Sequence, residues 1–292
     1  MREPVNVTLY NDAGCPWGYS ALPAFRVLEW RYGAQLDWRL VVIGLTEHAQ
    51  QYVDRGYTPL GSAEGYARRF RRFGMPFAPA PRARVIGTGR ACRAVVAARL
   101  QVPGSEWAAF RALQFGWFTT TLLLDEDEGI AAALAGVPGI DVAAVIAAID
   151  TAEVEEAYRR DHAEARTALG SPAELQGKTA TTDGPVRFTA PSLVFEHEGR
   201  RLVAGGWQTI EAYDVLVVNL VPDGERRGVP DDPGELLDRF PDGLTTQEVA
   251  ALLTRGNDAP DRTEAEAAML RLVAAGSATR TPLGDDALWA PA

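Results

Sequence analysis

The N-terminal part of the chain carries the hydrophobic pattern of a strand, a helix and a second strand. Apolar side chains occupy every second position from 5 to 9 and again from 36 to 42, which is the period of a half-buried strand. Between them, Pro16 suits the first turn of a helix, where its missing N–H would have no partner. Apolar residues then recur to about Tyr32, and Gly33 ends the helix. This order predicts the start of an α/β fold.

A long helical segment separates this unit from the strands that complete it. Residues 60–170 are rich in Ala and Arg and lack strand alternation, whereas strand patterns return between 186 and 203. We therefore expect residues 1–59 and 171–221 to form one α/β core, into which residues 60–170 are inserted as a helical domain.

The C-terminal part of the chain predicts a further small domain. Residues 222–234 combine Pro, Gly and charge without an apolar period, which indicates a linker. Thr245 and Glu248 have the spacing of a capping box, and a second helix and a hairpin about Gly284 follow. We expect residues 235–292 to form a winged-helix-like α+β domain.

The composition excludes several classes of protein. Hydrophobic residues make up 47% of the chain and charged residues 23%, which excludes wholesale disorder. The two cysteines cannot supply the disulfide framework of a small secreted domain. The N-terminus lacks the apolar core of a signal peptide, and Gly and Pro interrupt the most apolar stretch, 130–149. We expect a cytoplasmic protein that does not span a membrane.

The distribution of charge is more informative than the formal net charge of −10. Residues 60–100 contain nine Arg and one acid, whereas residues 235–292 contain five Arg and ten acids. Arg69 and Arg72 in the basic segment are candidates for binding a carboxylate or phosphate of a substrate, since guanidinium pairs with both. The alternative is a solvated helix face that offsets the acidic remainder. The acidic C-terminal domain favours a protein partner over nucleic acid.

The sharpest chemical feature is Cys15-Pro16-Trp17-Gly18, between the first strand and its helix. Unpaired N–H groups at a helix N-terminus favour an anion, so this position predicts a lowered pKa and a reactive thiolate at Cys15. The alternative is a small, half-buried packing residue.

Together with Thr189-Ala190-Pro191, this motif resembles the DsbA-like branch of the thioredoxin superfamily, and most closely its FrnE-type members, over about residues 4–220. The resemblance implies a thioredoxin-like fold with a helical insertion. It implies that Pro191 is a cis-proline facing the active-site helix and that Ala190 presents its backbone to a substrate. Cys15 would be the nucleophile, and Pro16, Trp17 and Gly18 would shape the substrate site.

One departure from that family decides the expected chemistry. Gly18 stands where FrnE-type members have a second cysteine, so dithiol exchange within the motif is impossible. We expect a single-cysteine oxidoreductase or transferase that uses an external low-molecular-weight thiol and has no tightly bound cofactor. Related kappa-class glutathione transferases and hydroxychromene-carboxylate isomerases suggest a thiol-dependent isomerase of a small aromatic acid as an alternative. The other alternative is a non-catalytic binding or adaptor protein.

The remaining candidates are weak. Cys92, flanked by Arg, is interpreted as a buried packing residue rather than a partner for Cys15. The three histidines are scattered, and none has a spacing typical of metal ligands, so no metal site is expected.

Overall fold

The computed structural model describes residues 3–292. The chain begins with β1 (Val5–Asn11), followed by a short helix α1 (Pro16–Ser20), a longer helix α2 (Leu22–Tyr32) and β2 (Leu36–Val42). β1 and β2 pair in parallel, with Leu9 opposite Leu40. The predicted strand–helix–strand unit is confirmed.

Helices dominate the segment that follows. They are α3 (Ala49–Asp54), α4 (Pro59–Gly65), a π-turn (Tyr66–Phe70), a 3-10 turn (Arg71–Phe73), α5 (Gly89–Gln101), α6 (Glu106–Thr119), α7 (Asp127–Leu134), α8 (Val142–Ala148) and α9 (Ala152–Ala165). The helices begin at Ala49, before the predicted boundary at residue 60. Residues 74–88 form neither helix nor strand, because Pro76, Pro79 and Pro81 remove the N–H donors that a helix needs.

The chain then completes the sheet. The elements are α10 (Pro172–Leu175), the two-stranded pair β3 (Thr179–Ala180) and β4 (Arg187–Phe188), then β5 (Ser192–His197), β6 (Arg200–Ala204) and α11 (Ile210–Leu220). The main sheet has the order β2-β1-β5-β6, with β5 antiparallel to β1 and to β6. β1 is therefore central and covered on both faces. This is why Thr8 and Tyr10 are buried although the alternation predicts a polar face.

A second sheet forms in the C-terminal part, whose elements are α12 (Gly234–Arg239), β7 (Leu244–Thr245), α13 (Thr246–Leu253), α14 (Arg262–Ala274), β8 (Ala278–Leu283) and β9 (Asp286–Pro291). Its strand order is β7-β9-β8. The capping box of Thr245 and Glu248 is present at the start of α13, as predicted. A three-stranded sheet packed against helices is an α+β arrangement; its assignment as a winged helix stays a prediction.

The C-terminal part is packed onto the rest of the chain rather than tethered to it. Glu248 is fully buried and forms a bidentate ion pair with Arg111 of α6, at 2.5 and 2.7 Å. The predicted linker lies along α2, where the indole of Trp30 donates to the carbonyl of Gly228 at 2.7 Å. Among residues 3–292, no helix combines the length and apolar character needed to cross a lipid bilayer.

Candidate active site

Cys15 lies just beyond the carboxyl end of the central strand. After β1 the chain turns at Asp12, whose carbonyl accepts a hydrogen bond from the Cys15 N–H at 3.1 Å and whose carboxylate accepts one from Gly14 N–H at 2.9 Å. Cys15 itself has extended backbone and caps α1, with Pro16 in the first helical position. The turn therefore places the sulfur at the start of the helix.

A loop distant in sequence meets this sulfur. The Cys15 thiol donates a hydrogen bond to the backbone carbonyl of Ala190, with Sγ and O 3.3 Å apart. The Ala190–Pro191 peptide bond is cis, and β5 begins directly after it. The pairing of β5 with β1 thus brings the two motifs together across the sheet.

The surroundings of Cys15 favour its neutral thiol. The side chain is only 5% exposed. Burial raises the pKa of Cys15 to about 12, and the negative charge of Asp12 acts in the same direction, although hydrogen bonding from the Gly18 and Trp17 backbone and the positive charge of Arg187 act against it. The predicted lowering of this pKa is wrong: the helix start contributes as expected, but desolvation is the larger effect.

The Cys15 side chain nevertheless adjoins a cavity. It lines an open cavity of about 620 Å³ between the helix start and the inserted helices. Aromatic and cationic residues form much of its wall. They are Trp17, Tyr52, Tyr57, Tyr66, Phe70, Trp117, Arg55, Arg68, Arg69, Arg82 and Arg84. A cavity of this size with an aromatic lining and a few polar groups is typical of a small-molecule site.

The structure separates the two predicted arginines. Arg69 lines the cavity, and among the described residues its guanidinium has no ion-pair partner, whereas the neighbouring Arg68 lies 3.8 Å from Glu64. Arg72 does not line it, and its guanidinium lies over the ring of Phe73, 4.9 Å from the centroid. Arg72 is thus not on the wall of this cavity, and the binding of a substrate by Arg69 or Arg72 stays a prediction.

Most of the basic segment is paired. Arg84 binds Asp125 and Glu126, and Arg90 binds two further carboxylates. Most arginines of this segment thus offset acidic residues, in agreement with the alternative interpretation from the sequence. At the cavity, Arg69 and Arg82 have no ion-pair partner among the described residues, and Arg82 donates instead to the backbone carbonyls of Leu122 and Trp117.

Trp17 and Gly18 have different positions in the site. Trp17 is 41% exposed and packs against Phe70 at 5.1 Å and Trp207 at 6.4 Å between ring centroids. It therefore joins the helix start to the insertion, and it also lines the cavity. Gly18 is buried, on the inner side of α1.

Two buried charged residues near the site were not predicted from the sequence. Asp12 is fully buried, and its carboxylate accepts hydrogen bonds from Leu45 N–H at 2.8 Å and the Thr88 hydroxyl at 3.1 Å; burial raises its pKa. Arg187 is buried beside Asp183. An acid in the turn directly before Cys15 is a signal the sequence offers for Asp12, whereas nothing in the sequence marks Arg187.

Cys92 is a buried packing residue, as interpreted. It is fully buried on α5, and its thiol donates to the Asp12 carboxylate at 3.5 Å. Burial raises the pKa of Cys92 well above its usual value, and the charge of Asp12 adds to this. Both cysteines are free thiols. Within residues 3–292, no group of three or more His, Cys, Asp or Glu side chains is arranged to hold a metal ion.

Comparison with solved structures identifies the fold. A candidate protein disulfide isomerase from Nitrosomonas europaea matches with a TM-score of 0.57 and 17% identity, over 75% of this chain and 98% of that one. A candidate DsbA oxidoreductase from Streptomyces coelicolor matches with a TM-score of 0.55 and 17% identity, over 78% and 94%. The cytosolic disulfide reductase DsbM from Pseudomonas aeruginosa matches with a TM-score of 0.50 and 19% identity, over 74% and 98%.

The sequence itself matches no family model and no curated protein. The structural likeness, with Cys15 at the end of the central strand, defines an α/β protein of the thioredoxin-like class. More narrowly, the chain has the DsbA-like thioredoxin fold, in which helices are inserted between the two halves of the sheet. The predicted fold class is confirmed.

Proposed function

We propose that this protein is a thiol–disulfide oxidoreductase or thiol transferase that works through the single active cysteine Cys15. The observation that carries the proposal is the position of the Cys15 sulfur, 3.3 Å from the Ala190 carbonyl and on the wall of a cavity. The fold it shares with disulfide reductases and isomerases supports the same chemistry. The FrnE-type assignment belongs to this proposal.

The reaction needs two small molecules and one protein sulfur. The thiolate of Cys15 attacks one sulfur of a small disulfide, which forms a mixed disulfide and releases the other half as a thiolate; this takes up the proton that Cys15 lost. A second small thiolate then attacks the sulfur of the bound half. That step regenerates Cys15 and forms a new small disulfide, so electrons pass between the small molecules and the protein ends unchanged.

The raised pKa of Cys15 sets the balance between these steps. A thiol of high pKa is a poor leaving group, and its thiolate, once formed, is a strong nucleophile. Few Cys15 side chains are ionised at neutral pH. Capture is therefore slow, and the mixed disulfide is long-lived once it has formed.

The cavity suggests the class of substrate. Its volume of about 620 Å³ suits a small molecule, and its aromatic wall suits an apolar or planar part of that molecule. Arg69, without an ion-pair partner among the described residues, suits a carboxylate. We propose a low-molecular-weight, carboxylate-bearing thiol or disulfide as the partner, with no tightly bound cofactor, in the cytoplasm. A protein partner at the acidic C-terminal part is a separate proposal.

Turnover tests this function. Purified protein is mixed with hydroxyethyl disulfide and an excess of reduced glutathione, and oxidised glutathione is followed through coupled NADPH oxidation. We expect a rate above the uncatalysed reaction that Cys15→Ser abolishes and Cys92→Ser retains. A rate that Cys15→Ser leaves unchanged would reject the proposal.

A second candidate, a non-catalytic binding protein, is favoured by one observation: Cys15 is buried and kept neutral. Under that alternative the cavity binds its ligand without covalent chemistry, so Cys15→Ser leaves binding intact and the turnover assay shows nothing above background. The isomerase alternative would instead require an aromatic acid to bind near Arg69.

A further inference from the structure

The space beside Gly18 is filled by another residue. A Cβ atom placed on Gly18 would lie 1.9 Å from Oδ1 of Asn11, 2.7 Å from its Cγ and 2.9 Å from its Nδ2. A contact of 1.9 Å is far shorter than any real contact of a Cβ atom. The Asn11 side chain therefore occupies space that any side chain at position 18, a cysteine included, would need.

The contact with Asn11, and not the backbone conformation, requires a glycine at position 18. Its φ lies outside the left-handed region, so the helix would accept other residues at this position. Glycine is also among the poorest helix formers. The absence of a side chain at position 18 is thus explained by the presence of the one at position 11.

Asn11 is fixed in this place. It is the last residue of β1, is fully buried and lies opposite Val42 of β2. Its carbonyl accepts a hydrogen bond from Ile43 N–H at 2.8 Å, and its Oδ1 accepts one from Asp12 N–H at 2.9 Å. A rotation of the side chain away from Gly18 would break the hydrogen bond from Asp12 N–H inside the buried site.

The amide nitrogen of Asn11 is buried without a hydrogen-bond partner among the described residues. An unpaired buried donor lowers stability, so hydrogen bonding accounts for the Oδ1 end of this amide and not for its Nδ2 end. The Asn11 side chain fills the space next to Gly18, and this packing is a role that its hydrogen bonds alone do not supply.

We propose that Asn11 and Gly18 act as a pair that excludes a second thiol from the active site and makes it obligately single-cysteine. Asn11 is a specificity-determining residue: it directs release of a mixed disulfide at Cys15 to a thiol from outside the chain. This consequence rests on the proposed function. The packing relation between Asn11 and Gly18 does not, and it can be tested alone.

The test introduces a second cysteine with and without Asn11. All variants carry Cys92→Ala, so that Cys15 and the introduced cysteine are the only thiols. Gly18→Cys, and Gly18→Cys combined with Asn11→Ala, are equilibrated in glutathione redox buffers, quenched by alkylation under denaturing conditions and analysed by mass spectrometry. The readout is the equilibrium constant for disulfide formation within the chain.

We expect this constant to be about tenfold or more larger in the double variant, because relief of an overpacked contact changes an equilibrium by roughly that factor. Equal constants, whether both variants close or neither does, would overturn the proposal.

A second measurement covers the case in which Gly18→Cys does not fold. Gly18→Ala adds only a methyl group, and we expect it to lower the melting temperature; Asn11→Ala in the same chain should restore part of the loss. A neutral or stabilising Gly18→Ala would overturn the proposal. Neither experiment uses a small substrate, so failure of the proposed function and failure of this inference remain distinguishable.

Discussion

The sulfur of Cys15 lies 3.3 Å from the carbonyl oxygen of Ala190, which is 175 positions further along the chain. The antiparallel pairing of β5 with β1 produces this relationship, because it returns the loop before β5 to the start of α1. The same carbonyl accepts a hydrogen bond from the Cys15 thiol. The site therefore holds the Cys15 sulfur against this loop and favours its protonated form.

The reactivity of Cys15 should depend steeply on pH. Burial raises its pKa to about 12, so the thiolate fraction rises throughout the neutral and mildly alkaline range without a plateau. We expect the rate of alkylation by iodoacetamide to increase about tenfold per pH unit from pH 7 to pH 9. Peptide mapping assigns the label, and Cys92→Ala supplies the control. A plateau below pH 8 would contradict the burial of the sulfur.

Arg69 and Arg72 offer a matched pair of substitutions. Arg69 lines the cavity and Arg72 does not, although both are exposed arginines of the same segment. We expect Arg69→Gln to slow the reaction of Cys15 with a dicarboxylate disulfide by up to about fivefold, since an exposed ion pair is worth about 1 kcal/mol or less. Arg72→Gln should leave the rate unchanged.

The comparison is sharpened by salt and by a neutral reagent. Added salt should reduce the effect of Arg69→Gln, because exposed charges are screened. With hydroxyethyl disulfide, which carries no charge, the two variants should react alike. If both substitutions slowed the reaction with the dicarboxylate disulfide equally, the carboxylate would bind at a position other than Arg69.

The ion pair between Arg111 and Glu248 should join the C-terminal part to the inserted helices energetically. Arg111→Met removes the bidentate partner of a fully buried carboxylate, which keeps only a longer ion pair with Arg26 at 3.9 Å, and removing one member of a buried pair costs about 3–5 kcal/mol. We expect the free energy of unfolding, measured by urea denaturation, to fall by that order. Arg159→Met, which breaks an exposed pair with Glu155, is the control and should change it by less than about 1 kcal/mol. A similar loss in both variants would contradict the role of the buried pair.

The same pair predicts an acid sensitivity. Burial is the largest single effect and opposes ionisation of Glu248, but Arg111, Arg26 and the Thr245 N–H together outweigh it and lower the pKa of Glu248 below its usual value. A carboxylate with a lowered folded-state pKa stabilises the protein above the unfolded pKa of about 4.3, and this contribution is lost as pH falls through the folded pKa. The free energy of unfolding should therefore fall as the pH is lowered from 6 to 3. This fall should be smaller in Arg111→Met than in the unaltered protein.

The C-terminal hairpin should hold a loop next to the cavity. The carboxylate of Asp285 accepts a hydrogen bond from Phe77 N–H at 2.7 Å, and the Asp285 N–H donates to the Phe77 carbonyl at 3.0 Å. We expect Asp285→Ala to raise hydrogen–deuterium exchange across residues 74–88 while leaving β1 protected. Asp258→Ala, at an exposed loop, should change neither segment. Unchanged exchange in 74–88 would mean that the loop is held by its own packing.

The sequence predicted those parts of the fold that depend on local pattern. The alternation at 36–42, the proline after Cys15 and the capping box at Thr245 each follow from neighbouring residues, and all are present. The loop at 74–88 was predicted as helix because its composition resembles that of its neighbours, although its prolines forbid one.

The site was less predictable because it depends on distances between segments. The helix start favours a thiolate at Cys15, but the extent of desolvation is a property of the packed core and outweighs it. Position 18 is a glycine in the sequence, and only the structure relates it to Asn11 on the neighbouring strand. Likewise, the direction in which Arg69 and Arg72 point depends on the short π- and 3-10 turns that carry them.

Intact-mass spectrometry of the protein exposed to a small disulfide tests the central claim most directly. After incubation with oxidised glutathione at pH 8.5, we predict one glutathione adduct, mapped to Cys15, that persists after removal of the reagent and disappears on addition of reduced glutathione. Cys92→Ser should behave like the unaltered protein. An adduct on Cys92 alone, or no adduct while an unfolded control is modified, would contradict the claim that Cys15 is the reacting sulfur.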